Sequence, residues 1–327
     1  VLDYQSDTQF VRINRTFLGP GDPEQYASIK DSVEYPLAEV NATIYKLNQT
    51  GTVLDSFPLQ TTEIPLREDG IFYEENVLFY YTNAPLLEED ELNNPQNFTF
   101  QLRAVIRGEL YTAETNFPGL SRSSIDYPPV PPQNPLQGLT RINLFIGLNN
   151  PTFSSADLRF TTDATTALYS MNFRMNFDFI TNSGELVEDQ FIDYSLGSYD
   201  NSELVSGREA NATLSGEAYF NYLGNQLDLI PDLAEVQIEN FQFRISGAAP
   251  EFSTYLDVAQ PVSQFTPVLN SFTNISNGAI GVFTSATTVS NPAWVSELTM
   301  QQFNVEPLVA PYSFCNQGWT GSEYNCN

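Results

Sequence analysis

The chain of 327 residues has no histidine, only two cysteines, and just two lysines, Lys30 and Lys46. Each shortage removes a class of chemistry. Without histidine there is no Ser-His-Asp or Cys-His set, and the commonest transition-metal ligand is missing. Two cysteines alone cannot build a structural zinc site. Basic residues number 13 against 40 acidic ones, a formal net charge of −27. Such a surface cannot replace the counterions of a phosphate backbone, which excludes nucleic acid as a partner. Anionic lipid headgroups repel it for the same reason. No run approaches the roughly 18 apolar residues of a membrane-crossing helix.

The remaining catalytic vocabulary is thin. A Ser-Lys dyad would have to recruit Lys30 or Lys46, both in ordinary strand-and-loop surroundings. A glycosidase needs two carboxylates at a set separation. No acid here has the aromatic and amide context that would mark such a pair. The reading is of a protein that is not an enzyme and holds no catalytic or cofactor-binding residues.

What is present is core material. Hydrophobic residues make up 41% and aromatics 13%, mostly Phe and Tyr, which suit pleated surfaces. Residues 1–117 alternate in short runs: "TQFVRINRTFLG", "AEVNATIYKLNQTG" with "TVLDSFPLQ" as its hairpin partner, "GIFYEENVLFYYTN", and "FTFQLRAVIRG" returning through "GELYTAET". Six to eight short strands in that length predict an immunoglobulin-like β-sandwich. Residues 118–138 hold six prolines and are expected to form an extended linker. Residues 139–306 read as a second β-rich domain, and 307–327 as a tail. In "LYSMNFRMNFDFIT", Tyr169, Met171, Phe173, Met175, Phe177 and Phe179 share one face, a core stripe. Arg174, Asn176 and Asp178 share the other. Two short helices are expected in the second domain. One places Ala218, Tyr222 and Leu223 together after Ser215. The other starts at Pro250 and repeats Phe252, Tyr255, Leu256 and Ala259 at helical spacing. The fold class is mainly all-β.

Calcium is the most credible ion, since it takes carboxylate, amide and carbonyl oxygens on loops. Its candidate ligands are Asp193, Asp200, Asn201 and Glu203, with the acidic runs Glu88–Glu91 and Glu68–Asp69 behind them. None matches an EF-hand spacing, and a solvated acidic loop accounts for each equally well. In an oxidising compartment Cys315 and Cys326 would close a local disulfide, and in a reducing one they stay thiols. Six Asn-x-Ser/Thr sequons occur, at Asn14, Asn41, Asn48, Asn97, Asn211 and Asn274.

The stretch "FTNISNGAIGVFTS" (272–285) lacks the Lys-Ser/Thr of a phosphate loop. Asn277-Gly278 instead predicts a tight turn feeding a late strand through Phe283. Gly281 marks a bulge or a close backbone approach. With "SGEAYFNYLGNQ", "VQIENFQFRISGAAPEFSTYLDVAQPVSQ" and the opening "FVRINRTFLGPGDPEQYASIKDSVEYPLAEVNATIYK", this stretch resembles a family of Bacteroidota outer-membrane lipoproteins that carry a domain of unknown function. The element carrying the likeness is Thr273, Asn274, Ile275, Asn277, Gly278, Gly281 and Phe283. The resemblance implies a lipid anchor upstream of Val1, a place on the surface or periplasmic face of the outer membrane, and a β-barrel protein or other surface subunits as partners. It implies no catalytic residues. Asp31-Ser32-Val33 is similar to the O-glycan acceptor of that phylum, with Ser32 as the acceptor, though a plain loop serine explains it as well.

Three functions follow as expectations. The first is an accessory surface lipoprotein that binds or scaffolds. The second is a carbohydrate-binding or carbohydrate-acting protein using Trp294, Trp319 or Tyr324. The third is a structural or adhesive subunit of a filament or particle.

Overall fold

The computed structural model describes residues 1–16, 22–65, 76–129, 141–147, 149–259, 272–317 and 324–326. Strand dominates and the helices are short, so the chain is mainly β. It divides into two compact units. The first comprises 1–119, 165–167 and 247–287, and the second 120–164, 168–246 and 288–327.

The sandwich strands of the first unit, among the described residues, are β1 (Gln9–Val11), β2 (Val40–Leu47), β3 (Val53–Pro58), β4 (Gln60–Ile64), β5 (Val77–Thr82), β6 (Thr99–Ile106) and β7 (Glu109–Asn116). They form two sheets, ordered β1-β5-β4 and β3-β2-β6-β7. That order is the B-E-D and C′-C-F-G arrangement of an immunoglobulin-like sandwich. Local chemistry fixes the hairpins. Arg107 (φ 53°) and Gly108 (φ 85°) form a two-residue turn between β6 and β7, whose positive φ pair matches the strand twist. Alternation in β2, β6 and β7 buries Ala42, Ile44, Phe100, Leu102, Ala104 and Ala113. Of the strand expected in "TQFVRINRTFLG" (8–19), the described residues form only Gln9–Val11, and 17–19 lie outside them. The edge of β1 is unpaired on one side among the described residues, since β1 stands last in its sheet. Two short helices, α1 (Pro23–Ala27) and α2 (Lys30–Val33), lie between β1 and β2. Lys46 is buried, pairs with Glu91 and lies 4.6 Å from the centre of the Phe98 ring.

The second unit contains β8 (Ile125–Tyr127), β9 (Arg141–Ile142), β10 (Phe145–Ile146), β11 (Thr152–Phe153), β12 (Ser155–Thr161), β13 (Leu168–Thr181), β14 (Leu186–Asp200), β15 (Glu209–Ser215), most of β16 (Leu233–Ala248), most of β17 (Ala286–Val295) and β18 (Ser313–Asn316). Its main sheet runs β14-β13-β16-β17-β9, with β18 also on β16, beside a three-stranded sheet β15-β12-β8 and the pair β10-β11. The stripe Tyr169 to Phe179 is buried as expected. Phe173 stacks on Phe241 at 5.4 Å, and Phe241 and Phe220 both stack on Phe303. Helix α3 (Gly216–Leu227) starts at Ser215, whose hydroxyl accepts from the Ala218 amide. This is a standard N-cap that satisfies one orphan donor. At Gly224 a Cβ would lie 2.4 Å from the Leu308 carbonyl oxygen, so glycine is required for that approach. Helix α5 (Glu297–Phe303) contributes Met300 and Phe303 to the same core.

Several expectations need correction. The 139–306 domain is not continuous, because 247–287, including the second helix α4 (Pro250–Ala259), belongs to the first unit. Composition could not reveal this, since β-rich sequence looks alike in either unit. The linker at 118–138 is folded in its first part. Phe117 and Leu120 are fully buried, residues 122–124 form a 3₁₀ turn, and β8 pairs with β12. Only residues from 130 onward lie outside the described ones. Helix α3 buries Tyr219, Phe220, Leu223 and Leu227, a face rotated from the one expected. Ala218 is exposed and Tyr222 half-buried.

Candidate functional site

The site grows from the 272–285 stretch. Asn277 (φ 57°) and Gly278 (φ 72°) form the expected turn. A Cβ at Gly278 would meet nothing within 4 Å, so a valine there is opposed by that φ. The Asn274 side chain joins the two arms of the loop. Its Oδ1 accepts from the Phe283 amide at 2.9 Å, and its Nδ2 donates to the Phe283 carbonyl at 2.7 Å and to the Glu114 carbonyl at 3.2 Å. Thr273 Oγ1 donates to the Ala279 carbonyl and accepts from the Ile275 amide. Against β7, the Ser276 amide donates to the Thr112 carbonyl at 2.8 Å, Ser276 Oγ accepts from the Thr112 amide, and Asn277 Nδ2 donates to the Leu110 carbonyl. Phe283 is buried in the core with Leu2 and Phe117, and Ile275 packs against that core. The element therefore buckles the edge of β7 to the core.

Two expectations about this stretch change. No strand runs through Phe283. Regular pairing starts with the Leu2–Ser285 bridge and β17, because the backbone of Phe283 is already held by Asn274. Gly281 serves its positive φ (154°) and not a close approach, since a Cβ there would sit at ordinary contact distance, 3.8 Å from Ile275.

The loop forms one wall of a groove of about 620 Å³ within the first unit. The opposite wall is residues 10–14, at and just beyond the open edge of β1. Tyr35, Tyr111, Phe79, Leu102, Ala104 and Ile106 complete the lining. Ile280 (69% exposed) and Phe10 (40%) stand at the rim. Among the described residues the one charged side chain in the lining is Arg12, with no carboxylate or thiol beside it. Arg15 and Arg107 lie 5.7 and 5.6 Å from the centre of the Tyr35 ring, and Arg107 pairs with Glu39 at 2.5 Å. A hydrogen bond to Glu109 raises the Tyr111 phenol above its ordinary range. Such a groove can hold an extended apolar segment with an acidic group at the Arg12 end.

The other candidates are dispersed. The carboxylate of Asp193 is taken bidentately by Arg174, at 2.7 and 2.5 Å. Asp200 accepts from the Ser202 amide, and Asn201 is buried with bonds to Asp163 and Val205. Glu203 pairs with Arg208 at 3.5 Å. Asp193 and Asp200 lie seven residues apart on β14, a span of roughly 20 Å, so the four do not converge on one ion. Among the described residues no three metal-type side chains cluster. Glu91 of the earlier acidic run binds Lys46 and the Glu88 amide. Glu68, Asp69 and Trp319 lie outside the described residues. Trp294 is buried and Tyr324 packs on the core, so neither offers the exposed platform expected for a sugar. Ser32 sits half-buried in α2 rather than in a loop. Cys315 and Cys326 are joined in a disulfide, beside the bridge between Asn316 and Asn325.

The residues missed from sequence are those of the β1 wall and Tyr35. Their signal was the alternation of "FVRINR" without a second partner strand. Comparison with known protein families and with curated proteins found no match.

Proposed function

We infer that the protein is a non-catalytic, lipid-anchored binding or scaffolding subunit of an outer-membrane assembly, placed on the surface or periplasmic face beside a β-barrel protein. The observation that carries this reading is the groove of the first unit. It is lined mainly by apolar side chains, is bounded on one side by an edge of β1 unpaired among the described residues, and has Arg12 as the one charged side chain among its described lining residues. In an immunoglobulin-like sandwich a further strand lies beside the position of β1. The occupant that fits is an extended segment of a partner subunit, adding main-chain bonds to β1 and apolar side chains to the lining. Arg12 selects an acidic residue at that end of the segment. No cofactor enters this reading.

The test is isolation of the native protein from membranes, with mass spectrometry of its lipid and its companions. A β-barrel that co-purifies with the wild type and is lost from Ile280→Glu supports the reading. A protein without an anchor and without a stable companion overturns it.

A further inference from the structure

A second surface, in the second unit, carries a binding chemistry unrelated to the groove. Alternation along β13 turns Met171, Phe173 and Met175 into the core and Asn172, Arg174 and Asn176 to the other face. On β16, Phe241, Phe243 and Ile245 point inward, so Asn240, Gln242 and Arg244 share that outer face. The bond from Asn176 Nδ2 to Asn240 Oδ1 at 2.8 Å confirms that the two strands present the same side. The register of β14 adds Phe191 and Asp193, opposite Asn176 and Arg174.

Two arginines of a chain with formal charge −27 thus gather on one sheet face. Arg174 is spent, since its guanidinium grips Asp193 and stacks over Phe191 at 3.7 Å. Arg244 is unspent. It is half-buried, and among the described residues nothing hydrogen-bonds or ion-pairs with it. Its guanidinium carries five N–H donors in a fixed planar fork. Burial, and then the neighbouring Arg174, push its pKa down, with the Asp193 carboxylate acting the other way. Asn172 and Gln242 beside it make no side-chain hydrogen bond among the described residues. Phe191 is 55% exposed and leaves an aromatic surface open.

We propose that this face binds an acidic saccharide. Arg244 takes a sugar carboxylate bidentately, Asn172 and Gln242 meet hydroxyls, and Phe191 packs against a pyranose ring. The order of contributions follows from the charges. The net charge repels any polyanion at long range, so recognition must come from the short, directional guanidinium–carboxylate contact. A neutral sugar would leave Arg244 unsatisfied, and an acidic peptide would leave Phe191 and the amides without a ring to meet.

The experiment is calorimetric titration of the full chain with a hexamer of galacturonate, at neutral pH, about 0.15 M salt and with a chelator present. The methyl ester of the same hexamer and a hexaglutamate peptide serve as the other arms. The expected result is binding of the acid hexamer alone, weakened about tenfold or more in Arg244→Gln and several-fold in Phe191→Ala. Arg244→Lys keeps the charge and loses the fork, so it recovers part of the affinity at most, and it serves if the glutamine variant does not fold. Absence of binding, equal binding of the ester or of hexaglutamate, or unchanged affinity in folded Arg244→Gln each overturns the proposal. Loss of the groove's partner through Ile280→Glu leaves this titration unchanged, which separates the two sites.

Discussion

The two units reach stability by different routes. In the first, no strand among the described residues exceeds eight residues within the sandwich. In the second, β13, β14 and β16 run for 14, 15 and 16 residues. Long strands present wide faces, and the second unit fills them with stacked aromatics drawn from its own strands and helices. Short strands present narrow faces. The first unit therefore borrows 274–285 from far down the chain, to clamp the β7 edge and to insert Phe283 beside Leu2. A sandwich completed by a late loop can leave the edge of an early strand open, which is where its groove lies.

The largest effects test this contrast at the two cores. Phe173→Ala removes a fully buried ring stacked on Phe241, and Phe283→Ala removes the borrowed ring. Each is expected to cost about 3–5 kcal/mol in denaturant unfolding. A cost under about 1 kcal/mol for Phe283→Ala would show that the late loop is not part of the first core, and the contrast would fail. Asn274→Ala comes next. It deletes three hydrogen bonds, two of them to the Phe283 backbone, for an expected loss of about 1–3 kcal/mol. Faster hydrogen exchange should be confined to the Phe283 amide and the β7 edge. Exchange that rises equally along β13 would deny the buckle its local role.

Tyr219→Phe probes the opposite defect. The Tyr219 ring is fully buried between Phe173 and Phe220, yet among the described residues its hydroxyl has no hydrogen-bond partner, and burial pushes its pKa up. Removing that oxygen should stabilise the second unit by about 1 kcal/mol. Tyr222→Phe, which loses the 2.9 Å bond to the Asp193 carbonyl, should do the reverse. Thermal midpoints of the pair decide the point. If Tyr219→Phe were destabilising, a partner for the hydroxyl would have to exist.

Much of this was legible before the structure. The period-two alternation of "FTFQLRAVIRG" and "LYSMNFRMNFDFIT" identified β6 and β13, and Asn277-Gly278 identified its turn. Ser215 and Pro250 marked two helix starts. What was illegible is non-local. Nothing in 247–287 states that it returns to the first unit, because membership depends on partners more than a hundred residues away. The face of α3 was misplaced by one position, since Tyr219 and Tyr222 are chemically alike and only packing tells them apart. The groove was hidden for the same reason: an open edge on β1 is the lack of a partner, and sequence records only what could pair. Arg244 looked like any arginine on a strand until Arg174 was seen to hold the nearby carboxylate.

The smallest expected effect concerns Glu251, near the start of α4 in the first unit. Its carboxylate is half-buried, accepts from Thr115 Oγ1 at 3.3 Å, and has its pKa raised chiefly by burial. A carboxyl whose folded pKa lies above its unfolded one stabilises the fold when protonated. That contribution is complete below the ordinary glutamate value of about 4.5 and is lost as pH rises through the folded pKa. At neutral pH the wild type therefore carries an ionised group its site disfavours. Glu251→Gln keeps an acceptor for Thr115 and removes the charge. It should raise the thermal midpoint at neutral pH by an amount worth less than about 1 kcal/mol, and the advantage should shrink as pH falls below the ordinary glutamate range. An advantage constant with pH would assign the effect to packing. A loss at neutral pH would mean that the ionised carboxylate is held by its own helix terminus, and that the borrowed segment is fastened to the first unit by charge as well as by Asn274 and Phe283.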